Sequence, residues 1–412
     1  TPAAHGEPLG EEEVRLVKRA YGWPQDAKFL VPDGVREQFE AGIGVRGSEA
    51  RRRWEALFAA YREKHPELAT EIVQMQQRQL PSGWDRNLPS FPPDPKGIAG
   101  RDASGKVLNV LAQNIPWFLG GSADLGSSNR TLLKFEGAGD FEAETPWGRN
   151  LHFGIREHAM AAAVNGLSLT KLRPFGATFV IFSDYARPAI RLSALMELPT
   201  IFVFTHDAMG DGEDGPTHQP VEHLVSLRAI PGLTVLRPAD ANEVVEAYRY
   251  VMQLRHRPAV LALSRQALPT FDRRTYAPAS GLARGAYVMA EPPKGTAQII
   301  LIASGSEVSL AVQAYEALTS QEVRARVVSM PSWDIFESQP QSYRDEVLPP
   351  KVKARLAIEQ GSVLGWDRYV GPEGRVIGMQ TFGSSAPLKE LQHKFGFEPD
   401  RVVAAAHELL GR

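Results

Sequence analysis

Short apolar strands alternate with helical segments from Arg101 onward, and this alternation limits the possible folds more than any other feature. Strands that are separated by helices are typical of a parallel sheet covered by helices on both faces. One set of such segments fills residues 101–285, and a second set fills residues 286–412. The sequence therefore predicts two doubly wound α/β domains with mainly parallel sheets.

Residues 1–100 have a different pattern, without apolar strands. Residues 11–20 carry acids first and bases last, as a helix dipole favours, and Pro66 begins a later helical stretch. A further helix is expected to be capped by Ser48. Residues 81–100 are rich in proline, which favours an extended linker. A helical and linker segment is thus predicted to precede the two α/β domains.

Composition limits the chemistry and the partners of the chain. The 412 residues contain 46 Lys plus Arg and 48 Asp plus Glu, so neither nucleic acid nor an anionic membrane is a favoured partner. No apolar run reaches the roughly 20 residues of a membrane helix, and a cytoplasmic location is expected. The absence of cysteine excludes thiolate nucleophiles and zinc–thiolate sites. Together with 31 prolines, it also favours a thermophilic source.

A glycine-rich polar loop, THDAMGDGEDGPTHQP at residues 205–220, follows the predicted strand Ile201–Thr205. Ligands bind at the carboxyl ends of strands in open α/β sheets, so His206 is expected at the mouth of a crevice. The glycines allow left-handed backbone and close approach to a ligand. Glycine and aspartate are also common in plain surface turns, but the two histidines favour a reaction site.

Three known motifs fit this loop poorly. A calcium loop that begins at Asp207 requires oxygen ligands where the chain has Met209 and His218. A dinucleotide fingerprint would place the two acids of GDGEDG against a pyrophosphate, which their charge opposes. The GDG triplet at residues 210–212 also resembles the start of a magnesium motif, but Asn242 begins a helix instead of completing that motif. We interpret the triplet as fortuitous.

Ionisable residues follow four predicted strands of the first α/β domain at their carboxyl ends. These residues are Asp124, Glu157, His206 and Arg265. Because parallel strands end at one edge of a sheet, we expect the four side chains to lie at the same edge. Arg101, His206, His218 and Arg265 form a cationic set suited to a phosphate group. Arg265 by itself is equally compatible with a structural ion pair.

Two further features have both a structural and a functional interpretation. Glu157 begins an alanine-rich helix, where burial would raise the pKa of its carboxyl, although a glutamate in a first turn also simply favours the helix dipole. Phe179, Phe182 and Tyr185 recur every three residues, a spacing that is typical of a core stripe.

Five segments of the chain resemble the transketolase family, in order and with suitable spacing. They are GGSADLGSSN (120–129), HFGIREHAM (152–160), FGATFVIFSDYARPAIR (175–191), THDAMGDGEDGPTHQPVE (205–222) and LSRQAL (263–268). This resemblance implies an enzyme that uses thiamine diphosphate to move a two-carbon ketol unit from a ketose phosphate to an aldose phosphate. It also implies that residues 101–285 are the pyrimidine-binding domain and residues 286–412 the carboxyl-terminal domain.

The resemblance further implies roles for individual residues. Glu157 matches the glutamate that protonates the aminopyrimidine ring of the cofactor, and Asp124 matches a residue close to the cofactor. The aromatic pocket for that ring is matched by Phe179, Phe182 and Tyr185. The residues that match substrate contacts are Arg101, Ser128, His206, Asp214, His218 and Arg265, and His218 is also expected to take part in catalysis. Ser127 departs from the family pattern, since many relatives have proline there.

The resemblance predicts that the chain is part of a larger functional unit. We expect most of the diphosphate-binding domain, with the Mg²⁺ ligands, to lie outside this chain, and only its last helices to be present in residues 1–80. No metal ligand is assigned within the chain. Family sites lie between the two subunits of a homodimer, so this chain alone is expected to be inactive.

Two alternatives remain open. Deoxyxylulose-phosphate synthase also uses thiamine diphosphate and resembles the DGPTH segment, although the triplet of Thr205, His206 and Asp207 favours transketolase. Outside enzymes, the chain is compatible with a non-catalytic subunit that binds the cofactor or a partner.

Overall fold

The computed structural model describes residues 3–412, as a helical unit up to residue 73 and a larger unit of residues 74–412. The first helices are α1 Ala3–Gly6, α2 Gly10–Ala20, α3 Val35–Phe39, α4 Val45–Lys64 and α5 Pro66–Gln76, with a π-helical segment at Glu40–Gly44. Ser48 lies inside α4 and not at its N-terminus, so the predicted cap is wrong. Within the described residues, every helix is too short or too polar to span a bilayer.

A six-stranded sheet, formed by β2 to β7, lies at the centre of residues 94–290. The strands of this stretch of the chain are β1 Asp94–Ala99, β2 Phe118–Ser122, β3 Asn150–His152, β4 Arg173–Phe179, β5 Ile201–Thr205, β6 Thr234–Leu236, β7 Ala259–Leu263, β8 Ala267–Thr270 and β9 Tyr287–Ala290. The helices are α6 Gly100–Asn114, α7 Gly126–Asn129, α8 Glu157–Leu169, α9 Ser183–Leu195, α10 His223–Arg228 and α11 Ala241–Gln253, with 3-10 helices at Met209–Asp214 and Ala279–Arg284. The sheet has the order β3-β2-β4-β5-β7-β6, and all its strands are parallel.

A five-stranded sheet organises the remaining residues. Its later strands are β10 Ile299–Ala303, β11 Ala325–Ser329, β12 Ala354–Ser362 and β13 Arg375–Met379. The helices are α12 Glu307–Ser320, α13 Trp333–Glu337, α14 Gln341–Val347, α15 Asp367–Val370, α16 Leu388–Phe395 and α17 Pro399–Leu409. The order is β13-β12-β10-β11-β9, with only β9 antiparallel. The prediction of two doubly wound, mainly parallel α/β domains is therefore confirmed.

Strand β4 lies in the middle of the six-stranded sheet, although the sequence pattern did not predict it. All seven of its residues are buried, because β2 and β5 flank it and helices cover its faces. Its sequence, RPFGATF, contains arginine, proline and glycine, which obscure the strand pattern. The buried Arg173 guanidinium donates to the carbonyls of Val251 and Leu254, at the end of α11. Burial lowers the pKa of Arg173 to about 9.

The predicted linker ends in a short strand that the sequence also did not indicate. Strand β1 pairs with β8 in an antiparallel ribbon, and Gly97 has a φ of 63° within it. A Cβ atom at Gly97 would lie 1.6 Å from the carbonyl oxygen of Leu268, so only glycine fits.

A buried charge cluster joins the two sheets. Arg237 follows β6 and is 0% exposed, and its Nε donates to Asp207 Oδ2 at 2.8 Å. Its Nη1 also donates to Glu307, at the start of α12. Glu359 in β12 accepts two hydrogen bonds from Arg228, at 2.7 and 2.8 Å. Burial would raise the pKa of Glu359, but Arg228 and Arg237 outweigh it and lower the pKa to about 2.

Ser306 precedes α12 as the sequence predicted, but it does not cap the helix. Its hydroxyl donates to the Glu307 carboxylate at 2.5 Å, and it makes no hydrogen bond to the backbone N–H groups of the first turn. The buried charge cluster therefore takes the side chain that the sequence assigned to helix capping.

Candidate active site

The carboxyl edge of the six-stranded sheet collects groups from five strands. Asp124 comes after β2 and Glu157 after β3, and Phe179 ends β4. His206 directly follows β5, and Arg265 is the second residue after β7. Because these strands are all parallel, their carboxyl ends share one edge. The topology thus brings to one place residues that lie far apart in the sequence.

His206 is held in an uncommon backbone conformation with its ring buried. It is 3% exposed and has a φ of 62°, a region that residues with a side chain rarely adopt. Such strained residues are concentrated at functional sites. The adjacent Asp207 is anchored by Arg237, which belongs to the cluster between the sheets.

Two polar residues behind His206 hold its ring in place. Asn129 Nδ2 donates to Thr205 Oγ1 at 2.7 Å, and Thr205 Oγ1 lies 2.7 Å from His206 Nδ1. A hydroxyl can both donate and accept, so Thr205 bonds to the amide and to the imidazole at once. The ring is thereby oriented with Nδ1 towards Thr205 and Nε2 towards the site. Sequence reasoning did not identify Asn129 or Thr205 as functional, although both lie within the quoted segments.

The ring of His206 is neutral at physiological pH. Burial lowers the pKa of His206 to about 3, and the nearby charges of Arg101 and Arg265 act in the same direction. Arg101 Nη1 lies 3.5 Å from His206 Nε2 and also donates to the carbonyl of Ser128 at 3.0 Å. The Arg101 guanidinium thus presents N–H donors beside the His206 ring, an arrangement that suits an oxygen-rich or anionic ligand. Ser128 contributes its carbonyl to this arrangement.

Asp211 lies among these donors, and sequence reasoning missed it. Its Oδ1 is 3.4 Å from both His206 Nε2 and Arg265 Nε, and its side chain is 1% exposed. Neither carboxyl oxygen has a hydrogen-bond partner among the described residues. Burial raises the pKa of Asp211 to about 7. The sequence signal for Asp211 is an acid in a glycine-rich loop that follows a buried strand. The interpretation of the GDG triplet as fortuitous left Asp211 out of the predicted site.

Four aromatic rings form a continuous surface beside His206. The centroids of Phe179 and Phe182 are 5.6 Å apart with an interplanar angle of 16°, and Tyr185 follows at 6.1 Å from Phe182. His218 meets Phe182 edge-on at 5.6 Å, and the Phe179 and His206 centroids are 3.7 Å apart. Such a surface suits stacking on a flat heteroaromatic ring.

The same rings overturn the interpretation of a core stripe. Phe179 ends a strand, Phe182 lies in the following turn and Tyr185 lies in α9, so the three do not share one helix face. Tyr185 is 65% exposed. The spacing of three residues here comes from a strand-to-helix turn.

Glu157 is the first residue of α8 and is 7% exposed. Its carboxyl makes no ion pair with any other residue that the structure describes. Helix α8 packs against α9 and β4, and Gly176 in β4 allows close contact with Val164 and Met160. Glu157 thus lies buried at the same sheet edge as the other groups, as predicted from its place after a strand.

The remaining predicted residues lie at the periphery of this group. Arg265 is 44% exposed and donates to the carbonyl of Gly210 at 3.2 Å. Asp214 ends the 3-10 helix and is exposed, and so is Asp124, whose φ is 59°. Among the described residues, no hydrogen bond joins Asp124, Asp214 or Glu157 to the His206 group.

One group of side chains in the described part of the chain has the composition of a metal site. It consists of Asp184, Glu222 and His223. His223 Nε2 lies 3.0 Å from Asp184, whereas Nδ1 lies 3.9 Å from Glu222. Because the two ring nitrogens contact separate carboxylates, the geometry is that of an imidazole between two acids, and we assign no metal to it.

Three family models match the chain. The transketolase pyrimidine binding domain matches residues 96–270, and the transketolase-like C-terminal domain matches residues 285–398. The transketolase thiamine diphosphate binding domain matches residues 1–81. The last match shows that the diphosphate-binding domain is represented in the chain, so the expectation that this domain is missing is not supported.

Known transketolases are similar over nearly the whole chain. The transketolase of Geobacillus stearothermophilus is 48% identical over 100% of this chain, which covers 61% of that protein. The chloroplastic transketolase of Craterostigma plantagineum is 45% identical over 99% of this chain and 78% of that protein. The structure of transketolase from Leishmania mexicana superposes with a TM-score of 0.90 at 41% identity, covering 98% of this chain and 58% of that one.

A further solved structure is matched over almost its entire length. It is described as a split gene transketolase, inactive beta4 tetramer, and is 26% identical with a TM-score of 0.62. The match covers 76% of this chain and 99% of that one. The sequence identities and the shared arrangement of domains lead to one conclusion, that this chain belongs to the transketolase family.

Proposed function

We propose that the protein transfers a two-carbon ketol unit from a ketose phosphate to an aldose phosphate with thiamine diphosphate. The observation that carries this proposal is the juxtaposition at one sheet edge of an aromatic surface and convergent cationic donors. Phe179 contacts His206 directly, and Arg101 lies 3.5 Å from the same histidine. A flat cofactor ring and a phosphorylated sugar thus have adjacent places to bind.

The residues present fit the cofactor's pyrimidine ring. Phe179, Phe182 and Tyr185 offer rings for stacking, and Glu157 is a buried carboxyl without an ion pair in the described chain. When bound, thiamine diphosphate supplies the carbon nucleophile and the electron sink for cleavage of a carbon–carbon bond. Glu157 holds a proton for the aminopyrimidine ring, as the family resemblance implies. Mg²⁺ is expected with the diphosphate, and none of its ligands is assigned in this chain.

The cationic group supplies the contacts to the sugar phosphate. Arg101 and Arg265 provide forked donors for phosphate oxygens, and neutral His206 places Nε2 beside them. His218 lies edge-on to Phe182 in the aromatic surface, and the resemblance implies that it takes part in catalysis. Asp214 and Asp124 keep the substrate and cofactor roles that the resemblance implies. These assignments rest on the resemblance and on the shared sheet edge.

We propose that the protein forms a homodimer with the site at the subunit interface. Helices α8 and α9 contact each other and expose large apolar side chains. These are Leu169, Tyr185, Leu192, Leu195 and Met196, each 45% exposed or more. Contiguous exposed apolar groups mark interaction surfaces. Since Glu157 begins α8 and Tyr185 lies on α9, a second copy on this face would cover the site.

Replacement of Glu157 by glutamine tests the function. In the full-length protein with thiamine diphosphate and Mg²⁺, transfer from xylulose 5-phosphate to ribose 5-phosphate should fall on the order of a hundredfold or more, because an amide cannot supply the proton. Steady-state assays measure this loss, and circular dichroism checks the fold. Near-normal rates in E157Q contradict the role of Glu157.

Two samples complete the experiment. Glu346→Gln changes an exposed acid in α14, which belongs to the second α/β domain, and should retain full activity. This chain covers 61% of the Geobacillus stearothermophilus transketolase, and residues 1–412 alone are expected to show no steady turnover, like the split-gene relative that is described as inactive. Rapid ketol transfer by the 412-residue chain contradicts it.

The alternative functions are less well supported. The relatives compared above are all named transketolase, which disfavours deoxyxylulose-phosphate synthase. A non-catalytic subunit remains an alternative for the isolated chain, because the split-gene structure is described as inactive. The cytoplasmic location and the thermophilic source also remain predictions.

A further inference from the structure

The carboxyl of Asp211 is buried between Arg265 and His206 of the candidate site, and it makes no hydrogen bond within the described residues. Its Oδ1 lies 3.4 Å from Arg265 Nε and 3.4 Å from His206 Nε2. The side chain is 1% exposed, and both oxygens lack partners within the described residues. A buried polar group in this state is destabilising unless a ligand or a proton satisfies it.

The charges that face Asp211 come from every element around it. Arg265 and Arg101 favour its ionised form, whereas Asp207 and Asp214 oppose it, and burial opposes it most strongly. His206 is neutral, because burial lowers its pKa to about 3. Helix α16 also packs on this loop, where Lys394 bonds to Ser384 and His393 to Glu398, and the helix carries Lys389 and Glu390 as well.

Asp211 and a bound phosphate group would compete for the same neighbouring groups. Arg265 Nε and His206 Nε2 are the atoms that approach the Asp211 carboxyl, and both are assigned to the sugar phosphate in the proposed function. A dianionic phosphate beside a buried carboxylate is unfavourable, since like charges in a region of low dielectric repel strongly. Protonation of Asp211 removes this repulsion and leaves an O–H group that can donate to a phosphate oxygen.

We propose that Asp211 determines the charge that the substrate site accepts, because binding of a dianionic sugar phosphate requires protonation of its carboxyl. At alkaline pH, one proton passes from solvent to Asp211 when the phosphate binds. The phosphate keeps its two negative charges and the carboxyl becomes neutral. The inference rests on the proposed function, since it takes a sugar phosphate as the ligand at Arg265 and His206.

The direction of the pH dependence follows from the geometry and the pKa. Burial raises the pKa of Asp211 to about 7, so the carboxyl is largely neutral at pH 6 and largely ionised at pH 8. Affinity for a dianion should therefore fall as the pH rises through 7. The second ionisation of the phosphate itself, with a pKa near 6, is complete at pH 8 and does not contribute there.

Asp211→Asn is the decisive variant, because it keeps the size of the side chain and removes the charge. Titration calorimetry with ribose 5-phosphate at pH 8, in two buffers of different ionisation enthalpy, measures proton uptake on binding. The full-length wild-type protein should take up about one proton per site and D211N about none. D211N should also bind about tenfold more tightly than wild type at pH 8, and with similar affinity at pH 6.

Controls separate this proposal from the proposed function. Glu213→Gln changes an exposed acid of the same loop and should retain the proton uptake, and unphosphorylated ribose should cause none. Binding without proton uptake in wild type, equal uptake in D211N, or no binding of ribose 5-phosphate overturns the proposal. Normal uptake in a protein that transfers no ketol unit overturns the proposed function and supports the role of Asp211.

Stability provides a readout that needs no ligand. A carboxyl whose folded pKa is raised from 3.8 to about 7 contributes stability that is present below pH 3.8 and lost as the pH rises to 7. The melting temperature of D211N should therefore rise relative to that of wild type between pH 4 and pH 7. Above pH 7 the difference should stay constant. A difference that does not change with pH overturns the proposal.

Discussion

At the scale of single residues, the orientation of the His206 ring depends on a chain of side chains behind it. Ser122 Oγ donates to Asn129 Oδ1 at 2.7 Å, which orients the amide so that Nδ2 faces Thr205. Thr205 Oγ1 in turn lies within hydrogen-bond distance of His206 Nδ1, at 2.7 Å. These residues are positioning residues, since they act on the ligand only through the histidine.

Thr205→Val should disturb this arrangement without removing a site residue. The valine leaves His206 Nδ1 without its hydrogen-bond partner and Asn129 with one acceptor fewer, which should lower stability by about 1–3 kcal/mol. We expect kcat/KM to fall on the order of tenfold to a hundredfold, because the imidazole loses the partner that fixes its position. Steady-state kinetics measure the loss, and nitrogen NMR of the histidine ring should show a changed Nδ1 signal.

Thr234→Val is a matched control for this substitution. Thr234 is also a fully buried strand threonine, but its hydroxyl has no partner among the described residues. Its replacement should change neither the rate nor the ring spectrum. If both valine variants behave alike, the hydroxyl of Thr205 does not position His206.

At the scale of elements, the cluster around Arg237 joins the loop after β5 to the second sheet. Arg237 contacts Asp207 in that loop and Glu307 at the start of α12, with no exposed surface. Ser304 also accepts from Arg237 through its carbonyl, at 2.9 Å. Because Asp207 follows His206, the second sheet helps to hold the histidine in its left-handed backbone conformation.

Arg237→Met should therefore be strongly destabilising. The apolar side chain leaves Asp207 and Glu307 buried without their cation, which costs about 3–5 kcal/mol in the free energy of unfolding. Denaturant titration followed by tryptophan fluorescence measures this change. The double variant that adds Glu307→Gln should recover part of the loss, because it removes one unpaired charge.

An exposed arginine serves as the control for this prediction. Arg274 pairs with Asp272 at 2.7 Å, and its side chain is 87% exposed, so Arg274→Met should change stability little. Equal destabilisation by both arginine variants would show that the buried cluster is not the cause.

The sequence predicted the helices and strands whose apolar residues follow one clear pattern. Strands β5 and β11 agree residue by residue with their apolar runs, and α5 begins at Pro66 as expected. Strand β4 was missed because proline and glycine interrupt it, although its neighbours bury it completely. Strand β1 was missed because its pairing with β8, far along the chain, creates it. A local sequence pattern carries no information about strand partners that lie far along the chain.

The site could be predicted only where function leaves a local mark. The loop of His206 and the strand-end acids are visible from composition and order, and the family resemblance adds the remaining roles. Asn129 and Asp211 were missed because their importance depends on burial next to His206, which arises from three separate strands and loops. Neither residue type is unusual in a polar loop when the fold is unknown.

At the scale of the whole molecule, the exposed face of α8 and α9 predicts self-association. Leu195→Glu should weaken the dimer at least tenfold, because a charge buried at an apolar interface lacks a partner. Sedimentation analysis over a range of concentrations measures the change. Leu195 is 67% exposed in the single chain, so the fold of the subunit should survive.

Leu364→Glu is the matched control for association. Leu364 is also 67% exposed, but it follows β12 and is not on α8 or α9. If it weakens association as much as L195E does, the interface includes the second sheet. A wild-type chain that stays monomeric at high concentration contradicts the proposed dimer.

The bond from Gly100 N to Ser264 Oγ, at 2.9 Å, spans 164 positions and brings the start of α6 beside the end of β7. Arg101 and Arg265 are the next residues along the chain at each end. The two guanidinium groups therefore become neighbours only after all the strands of the central sheet have been synthesised and assembled. A nascent chain that stops before β7 lacks this cationic pair, so only molecules that have completed this stage of folding can bind a ligand through it.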